Sequence, residues 1–359
     1  MAAALKWFVL RGADEGGGGK ATLEIGEAAT ELLETETRSV NCVAICGEVR
    51  TGKSYLLNAL ARGSSLFGVD HNIHSFTTGV DIAPRFYPLS EVDSAAAADA
   101  PRLLFCDCEG QDNHNMSFDL KLVTPLLLIC KVVIMNVLCG AGPPKEKILS
   151  RLQLMVHAAK QIERSARAAI FGHLHLVLRD CRGEEAECRE LVFGMEDPEG
   201  ASTDDEEEAI ARRNGIRRDI NKAFESAPTV WCTPRILDAP PNYEDAGAAY
   251  VAKVDEIRAA MVAQLAEPKR VDGVPLTGRT IAQLLPRIRE VLLDDNPAFS
   301  PPSTMSAIRG AMARRAVEQA RAALDAASAV LRATFPLAAA ALDGAIDSSA
   351  AAALRGLDE

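Results

Sequence analysis

Hydrophobic and polar positions along the chain fall into two alternating periods. Short apolar runs at Leu5 to Leu10, Val40 to Cys46, Leu103 to Cys106, Val132 to Leu138 and His173 to Leu178 read as strands. Between them, Ile25 to Leu33, Ser54 to Ala61, Phe118 to Ile129 and Ile148 to Ala168 carry apolar residues at the three-or-four spacing of a helix. The run ending at Cys46 is apolar enough to be buried on both faces, as strands of a parallel sheet are. Strands alternating with helices predict an α/β fold with a doubly wound, mainly parallel sheet. Ligands on such sheets sit beyond the carboxyl ends of the strands. A Gly-rich turn is expected at Gly16 to Gly19, and the Ala-rich stretch Ala95 to Ala100 reads as a surface insertion.

The pattern changes after Pro268. Met305, Ile308, Met312, Leu324 and Leu331 keep a helical spacing, and Ser303 and Thr304 behind Pro301-Pro302 suit an N-cap. The expected organisation is one large α/β domain over residues 1–268 and a small all-helical domain over 269–359.

Composition narrows the class. The chain has 359 residues, and 48% of them are hydrophobic, enough for a sizeable core. Its net charge of -11 argues against a nucleic-acid surface, which usually carries a basic patch. The acidic run Glu196 to Glu208 reads most simply as a solvated loop. The longest apolar stretch, Leu126 to Leu138, is broken by Lys131 and is shorter than a membrane span. The amino-terminal residues lack a secretory pattern, and the last five residues contain no cysteine for a prenyl anchor. A soluble, cytoplasmic protein without a membrane span is expected, with peripheral membrane contact left open. Nine cysteines sit mostly in apolar runs, as reduced core thiols do. Cys106 and Cys108 have no second pair at zinc spacing.

Four segments carry chemistry. Gly47-Glu48-Val49-Arg50-Thr51-Gly52-Lys53-Ser54 matches the phosphate-loop pattern GxxxxGK(S/T) between a strand and a helix. Its backbone N–H groups and the helix N-terminus favour phosphate. Lys53 would bridge the β- and γ-phosphates, and the Ser54 hydroxyl would ligate Mg²⁺. Arg50, inside this loop, could reach the transferring phosphoryl, or could point to solvent or pair with an acid such as Glu48. Asp107-Cys108-Glu109-Gly110 follows a strand, so Asp107 suits a Mg²⁺-holding acid and the Gly110 N–H could approach the γ-phosphate. Ser75-Phe76-Thr77-Thr78-Gly79 lies where a switch segment would, with a Thr to complete the Mg²⁺ shell. Arg179-Asp180 ends a strand. An Asp there could accept two hydrogen bonds from guanine and so select GTP over ATP, although a strand-end Arg-Asp pair is also a common surface ion pair.

Together GEVRTGKSYLLNAL (Gly47 to Leu60), HSFTTGV (His74 to Val80), DCEG (Asp107 to Gly110) and LVLRD (Leu176 to Asp180) resemble the guanylate-binding proteins. These are large GTPases of the dynamin superfamily, with the atlastins as close relatives. The resemblance implies a P-loop GTPase fold and Mg²⁺-dependent GTP hydrolysis. It implies nucleotide contacts from Gly47, Arg50, Thr51, Gly52, Lys53, Ser54, Tyr55, Thr77, Asp107, Gly110, Arg179 and Asp180. Arg50 would be a cis arginine finger, Ser75 would position water, Thr77 (or Thr78, one place on) would join Ser54 and Asp107 on Mg²⁺, and Glu109 would act in the second switch. A homodimer through the GTP-bound G domains is implied, and GMP as a further product is left open. The chain departs from the family at Cys108, where Thr is usual, at Gln111, where Leu is usual, and in its short helical part. A GTP-dependent switch or scaffold with negligible turnover, and less favourably an ATPase, are the alternatives.

Overall fold

The computed structural model describes residues 3–11, 22–62, 66–69, 79–108, 110, 116–140, 142–160, 171–198, 203–236, 240, 242–292, 301–333, 344 and 347. Two compact units divide at Pro301/Pro302. The first is built on one eight-stranded sheet. Its strands are β1 (Leu5–Arg11), β2 (Thr22–Ile25), β3 (Val40–Gly47), β4 (Val80–Ile82), β5 (Arg102–Cys108), β6 (Cys130–Leu138), β7 (His173–Arg179) and β8 (Thr229–Thr233). They lie in the order β2-β1-β4-β5-β3-β6-β7-β8. The five strands from β5 to β8 pair in parallel, and β4, β1 and β2 complete the sheet antiparallel.

The chain is therefore α/β with a mainly parallel, doubly wound sheet. Helices α1 (Glu27–Thr35), α3 (Met116–Ile129), α4 (Lys145–Lys160), α6 (Asp204–Ala223) and α8 (Gly278–Leu292) form one connected layer, through α1–α8, α3–α8, α3–α4 and α4–α6 contacts. Helix α2 (Lys53–Leu60) packs with α7 (Ala248–Leu265), while α5 (Glu185–Phe193) lies against β8. Every residue of β3 is buried, and only Leu138 of β6 is exposed. Side chains such as Ile45, Val133 and Ile134 are fully enclosed, each contributing about 1.5–3 kcal/mol of transfer free energy.

The strands at 5–10, 103–106, 132–138 and 173–178 appear close to their expected bounds. The acidic run does not form a loop throughout. Asp204 to Glu207 make the first turn of α6 behind the Thr203 N-cap, whose side chain accepts from the Glu206 N–H. Negative charge there complements the helix dipole. Glu196 is tied down separately by Arg213 at 2.5 Å, Arg217 at 2.6 Å and Lys145 at 3.0 Å, and its carboxyl lies far below the usual range, chiefly through Arg213. In the second unit the described structure is α9 (Pro301–Ala333). This helix starts at Pro301, so Ser303 and Thr304 fall inside its first turn and do not cap it. Proline suits that position because its missing N–H would have no helical partner.

At the amino ends of the parallel strands, Glu225 gathers two lysines and a histidine. Lys131 lies 2.5 Å away, His173 3.3 Å and Lys269 3.7 Å, with Lys269 almost fully enclosed. Burial pushes the Glu225 carboxyl up, but His173, Lys131 and Lys269 outweigh it and hold the group at about 2. Burial in turn lowers Lys269 to about 8, against the pull of Glu225. A carboxyl depressed from 4.5 contributes stability above about pH 4.5 and loses it as pH falls toward 2. Glu225→Gln is expected to cost on the order of 2 kcal/mol at pH 7. In urea unfolding followed against pH, the gap to wild type should narrow as pH falls from about 4.5 toward 2. A gap independent of pH would mean that packing, and not charge, holds this corner.

Candidate active site

The phosphate-loop segment lies at the carboxyl end of β3 and turns directly into α2. Gly47 ends β3 opposite Asn136 of β6. Arg50 (φ 61°) and Gly52 (φ 73°) both take left-handed backbone conformations. Gly52 precedes α2, and a Cβ there would stand 1.9 Å from Nη1 of Arg179. Thr51 is buried, and its hydroxyl donates to the Glu48 carbonyl at 3.0 Å. Its own carbonyl accepts from Asn136 Nδ2 at 2.8 Å and from Arg179 Nη1 at 2.5 Å. Two neighbouring parallel strands thus hold one loop carbonyl. Neither tether is legible in the loop sequence, and Asn136 is a site residue that motif reading passes over. Its only signal is position, since a strand-end Asn beside the loop strand has a side chain free to reach across.

Lys53 is buried, and its Nζ donates to the Glu48 carbonyl at 2.7 Å. Burial lowers its pKa, opposed by Asp107. Ser54 Oγ donates to Asp107 Oδ2 at 2.6 Å, joining the start of α2 to the end of β5. The short distance is that of a hydroxyl on a carboxylate. Arg50 is exposed. The Glu48 carboxylate pairs with Lys147 at 2.8 Å. Tyr55 is buried, its ring 6.1 Å from that of Tyr250 on α7. The carboxyl end of α2 is anchored by the guanidinium of Arg258 of α7, which donates to the Ala59 carbonyl at 2.6 Å and the Leu60 carbonyl at 3.1 Å. A buried cation at that end also complements the helix dipole.

Gly110 abuts the loop from the β5 side. A Cβ on it would lie 2.5 Å from Val49 Cα and 2.8 Å from Val49 N, both backbone atoms. Asp180 follows β7 with φ 57°, a conformation that Asp tolerates better than most residues. It lines a depression of roughly 1050 Å³ together with Leu138, Cys181, Arg182, Pro234 and Arg235. Its Oδ1 lies 3.7 Å from Arg179 Nε, so the same arginine touches Thr51 and Asp180. The structure therefore brings together Gly47, Arg50, Thr51, Gly52, Lys53, Ser54, Asp107 and Gly110, and links them to Asp180 through Arg179. Ser75, Thr77, Thr78 and Glu109 lie outside the described residues.

Gly110→Ala should push the Val49 backbone out of place. Nucleoside triphosphate affinity is expected to fall at least ~10-fold, with a change in melting temperature of only a few degrees, since a local clash of about 1–3 kcal/mol is involved. Titration with a fluorescent triphosphate analogue reads this directly. Unchanged affinity would mean that the 110 backbone does not bear on the loop.

Residues 20–137 match the family model described as guanylate-binding protein, N-terminal domain. Guanylate-binding protein 5 of Homo sapiens is 33% identical over 114 residues, covering 32% of this chain and 19% of that protein. Guanylate-binding protein 1 of Mus musculus is 34% identical over 96 residues, covering 27% and 16%. Guanylate-binding protein 2 of Homo sapiens is 33% identical over 99 residues, covering 28% and 16%. The matched stretch thus spans less than a fifth of each of these relatives. The family-model match contains the phosphate loop, the Ser54–Asp107 contact and Gly110, and it ends on β6 one residue after Asn136. Through residues 20–137, about a third of its length, the chain is thus similar to the N-terminal domain of the guanylate-binding proteins.

Proposed function

We propose that the chain binds GTP on the Gly47–Ser54 loop and hydrolyses it. The carrying observation is the 2.6 Å contact between Ser54 and Asp107, which sets a hydroxyl and a carboxylate side by side at the mouth of a phosphate loop. Both are hard oxygen donors, so the pair fits Mg²⁺. Ser54 and Asp107 would hold the ion with Thr77, and the ion would neutralise charge on the β- and γ-phosphates. The loop N–H groups and the start of α2 would cradle the phosphates, with Lys53 as their fixed positive charge. The Gly110 N–H would face the γ-phosphate from the other side.

In this reading Arg50 is the cis arginine finger. It is exposed and sits on a left-handed residue that turns the loop outward. Ser75 orients the attacking water and Glu109 belongs to the second switch. Asp180 reads guanine from the depression beside it, and Arg179 fixes the distance between base and phosphate sites by bonding Thr51. Catalysis is then positioning plus charge stabilisation. A homodimer through the nucleotide-bound G domains would complete the site. The nine cysteines form no disulfide, which suits a reducing, cytoplasmic setting. Among the described residues no helix is long and apolar enough to cross a membrane.

The decisive experiment measures the specific GTPase rate against protein concentration, with ATP as the parallel substrate and GDP and GMP resolved. A GTP-only rate that rises per molecule with concentration is expected. Tight GTP binding with a flat rate near zero would leave a switch or scaffold, and equal use of ATP would remove Asp180 from base recognition.

Three variants probe the roles. Lys53→Ala should weaken triphosphate binding by at least ~10²-fold, the scale of a lost charge-assisted contact. Asp180→Asn should erode the preference for GTP over ATP in competition titrations. Arg50→Ala should lower turnover by ~10³-fold with little change in affinity. Because Arg50 is left-handed, Arg50→Gly separates backbone relief from side-chain loss; a variant restoring turnover would make the finger role untenable.

A further inference from the structure

Beside the depression that Asp180 lines, the fold gathers thiols that are far apart in sequence. Cys181 follows Asp180 directly, Cys188 lies in the first turns of α5, and Cys232 is on β8. Their Sγ atoms all lie within 4.8 Å of one another, with Cys181–Cys188 at 3.8 Å and Cys188–Cys232 at 3.6 Å. Among the described residues this is the one group of three or more such side chains so arranged. A second trio, Cys42, Cys106 and Cys130, is also brought together within the sheet. Only the first converges on a common point.

The separations are those of a metal–thiolate centre. A zinc–sulfur bond of about 2.3 Å places tetrahedral sulfurs about 3.8 Å apart. The Gly183 backbone lies against the Cys181 thiol. Gly183 permits this approach, since a Cβ there would stand 2.9 Å from Cys188 Sγ. Cys139 lies next to Cys181, outside the group of three sulfurs within 4.8 Å of one another. Arg182 and Arg235 line the adjacent depression and supply positive charge.

We propose that Cys181, Cys188 and Cys232 bind one Zn²⁺ ion per chain, with the fourth position open to water or to the neighbouring Cys139. The ion would rivet the turn after β7 to α5 and β8, one residue beyond Asp180. Binding exchanges thiol protons for the metal and releases them to solvent, so affinity rises with pH. Soft thiolates favour Zn²⁺ over the hard Mg²⁺ of the phosphate site.

The test uses the full chain, purified under reducing conditions and passed over chelating resin after exposure to Zn²⁺. Mass spectrometry of metals should find about one zinc per chain. Cys188→Ser should lose it, with far-ultraviolet circular dichroism unchanged, while Cys42→Ala should retain it. Replacement by Co²⁺ in the unaltered protein should give sulfur-to-cobalt charge-transfer absorption and the intense visible bands of a tetrahedral site, and needs no variant to fold. A metal-free chain with a featureless cobalt spectrum would overturn the proposal and leave the thiols as core packing, as would full zinc content in folded Cys188→Ser. No nucleotide enters the measurement, so its outcome is independent of GTP binding.

Discussion

One carbonyl oxygen, that of Thr51, bears more of this structure than any other atom. It sits between two left-handed residues, Arg50 and Gly52, in a turn that neither helix nor strand stabilises by itself. Asn136 from β6 and Arg179 from β7 both donate to it. A bond from a guanidinium is worth roughly 1.5–3 kcal/mol, and a neutral amide about 1. Together they exceed the roughly 1–2 kcal/mol of putting Arg50 into a left-handed well. The loop conformation is thus stored in the sheet, and a mutation two strands away could release it. The same Arg179 lies under Gly52 and beside Asp180, so the phosphate loop and the turn after β7 share one rigid reference.

The parallel core was legible because its burial is written locally. Strands enclosed on both faces carry runs of consecutive apolar residues, and β3, β5, β6 and β7 each hold one, interrupted by single polar residues such as Asn41, Lys131 and His175. Strand β4 has three residues, and β2 alternates exposed and buried positions over four, so neither offers a period to read. The phosphate loop was legible for a similar reason, because its eight residues are consecutive. The tethers were not. Asn136 is 85 positions from Thr51 and Arg179 is 128, and the Arg258 that anchors the end of α2 is 199 from Ala59. Such contacts follow from strand order, which local pattern does not contain. The thiol cluster is the sharpest instance. Cys188 and Cys232 are 44 positions apart, without the short spacing that marks a zinc ligand pair, and meet because α5 packs against β8.

The sheet divides its labour between its ends. At the amino ends of β6 and β7, Lys131, His173 and Lys269 surround Glu225, and Phe171 packs edge-on against Phe224. These are closed interactions, with one carboxylate shared among its basic neighbours. Between the ends, His175 is buried and neutral, lowered to about 4 mainly by burial. Its Nδ1 accepts from Trp231 Nε1, so the remaining ring N–H is the one that donates to Gln264. At the carboxyl ends the groups converge on open space and lie on turns. A sheet that must hold charged groups at one end gains from locking the other, because strand register then transmits rigidity without reaching into the site.

Backbone strain points the same way. Four described residues other than glycine have positive φ: Arg50, Arg62, Asp180 and Asp272. Two have local explanations. Arg62 follows the end of α2, and Asp272 pairs with Gly273 in the two-residue turn between β9 (Arg270–Val271) and β10 (Val274–Pro275), where hairpin twist demands positive φ at both positions. Arg50 and Asp180 have no such local need. Each sits where a strand has just ended at the open side of the sheet, Arg50 next to the tethered Thr51 and Asp180 next to the tethering Arg179. Strain that persists only because its surroundings over-determine it is the mark of a residue placed for what it presents outward. For Arg50 that is a guanidinium at the rim of the phosphate loop, and for Asp180 a carboxylate facing the depression between β6 and β8. The Thr51 carbonyl and the Arg179 that binds it lie between the two, so neither strained residue can relax without disturbing the other.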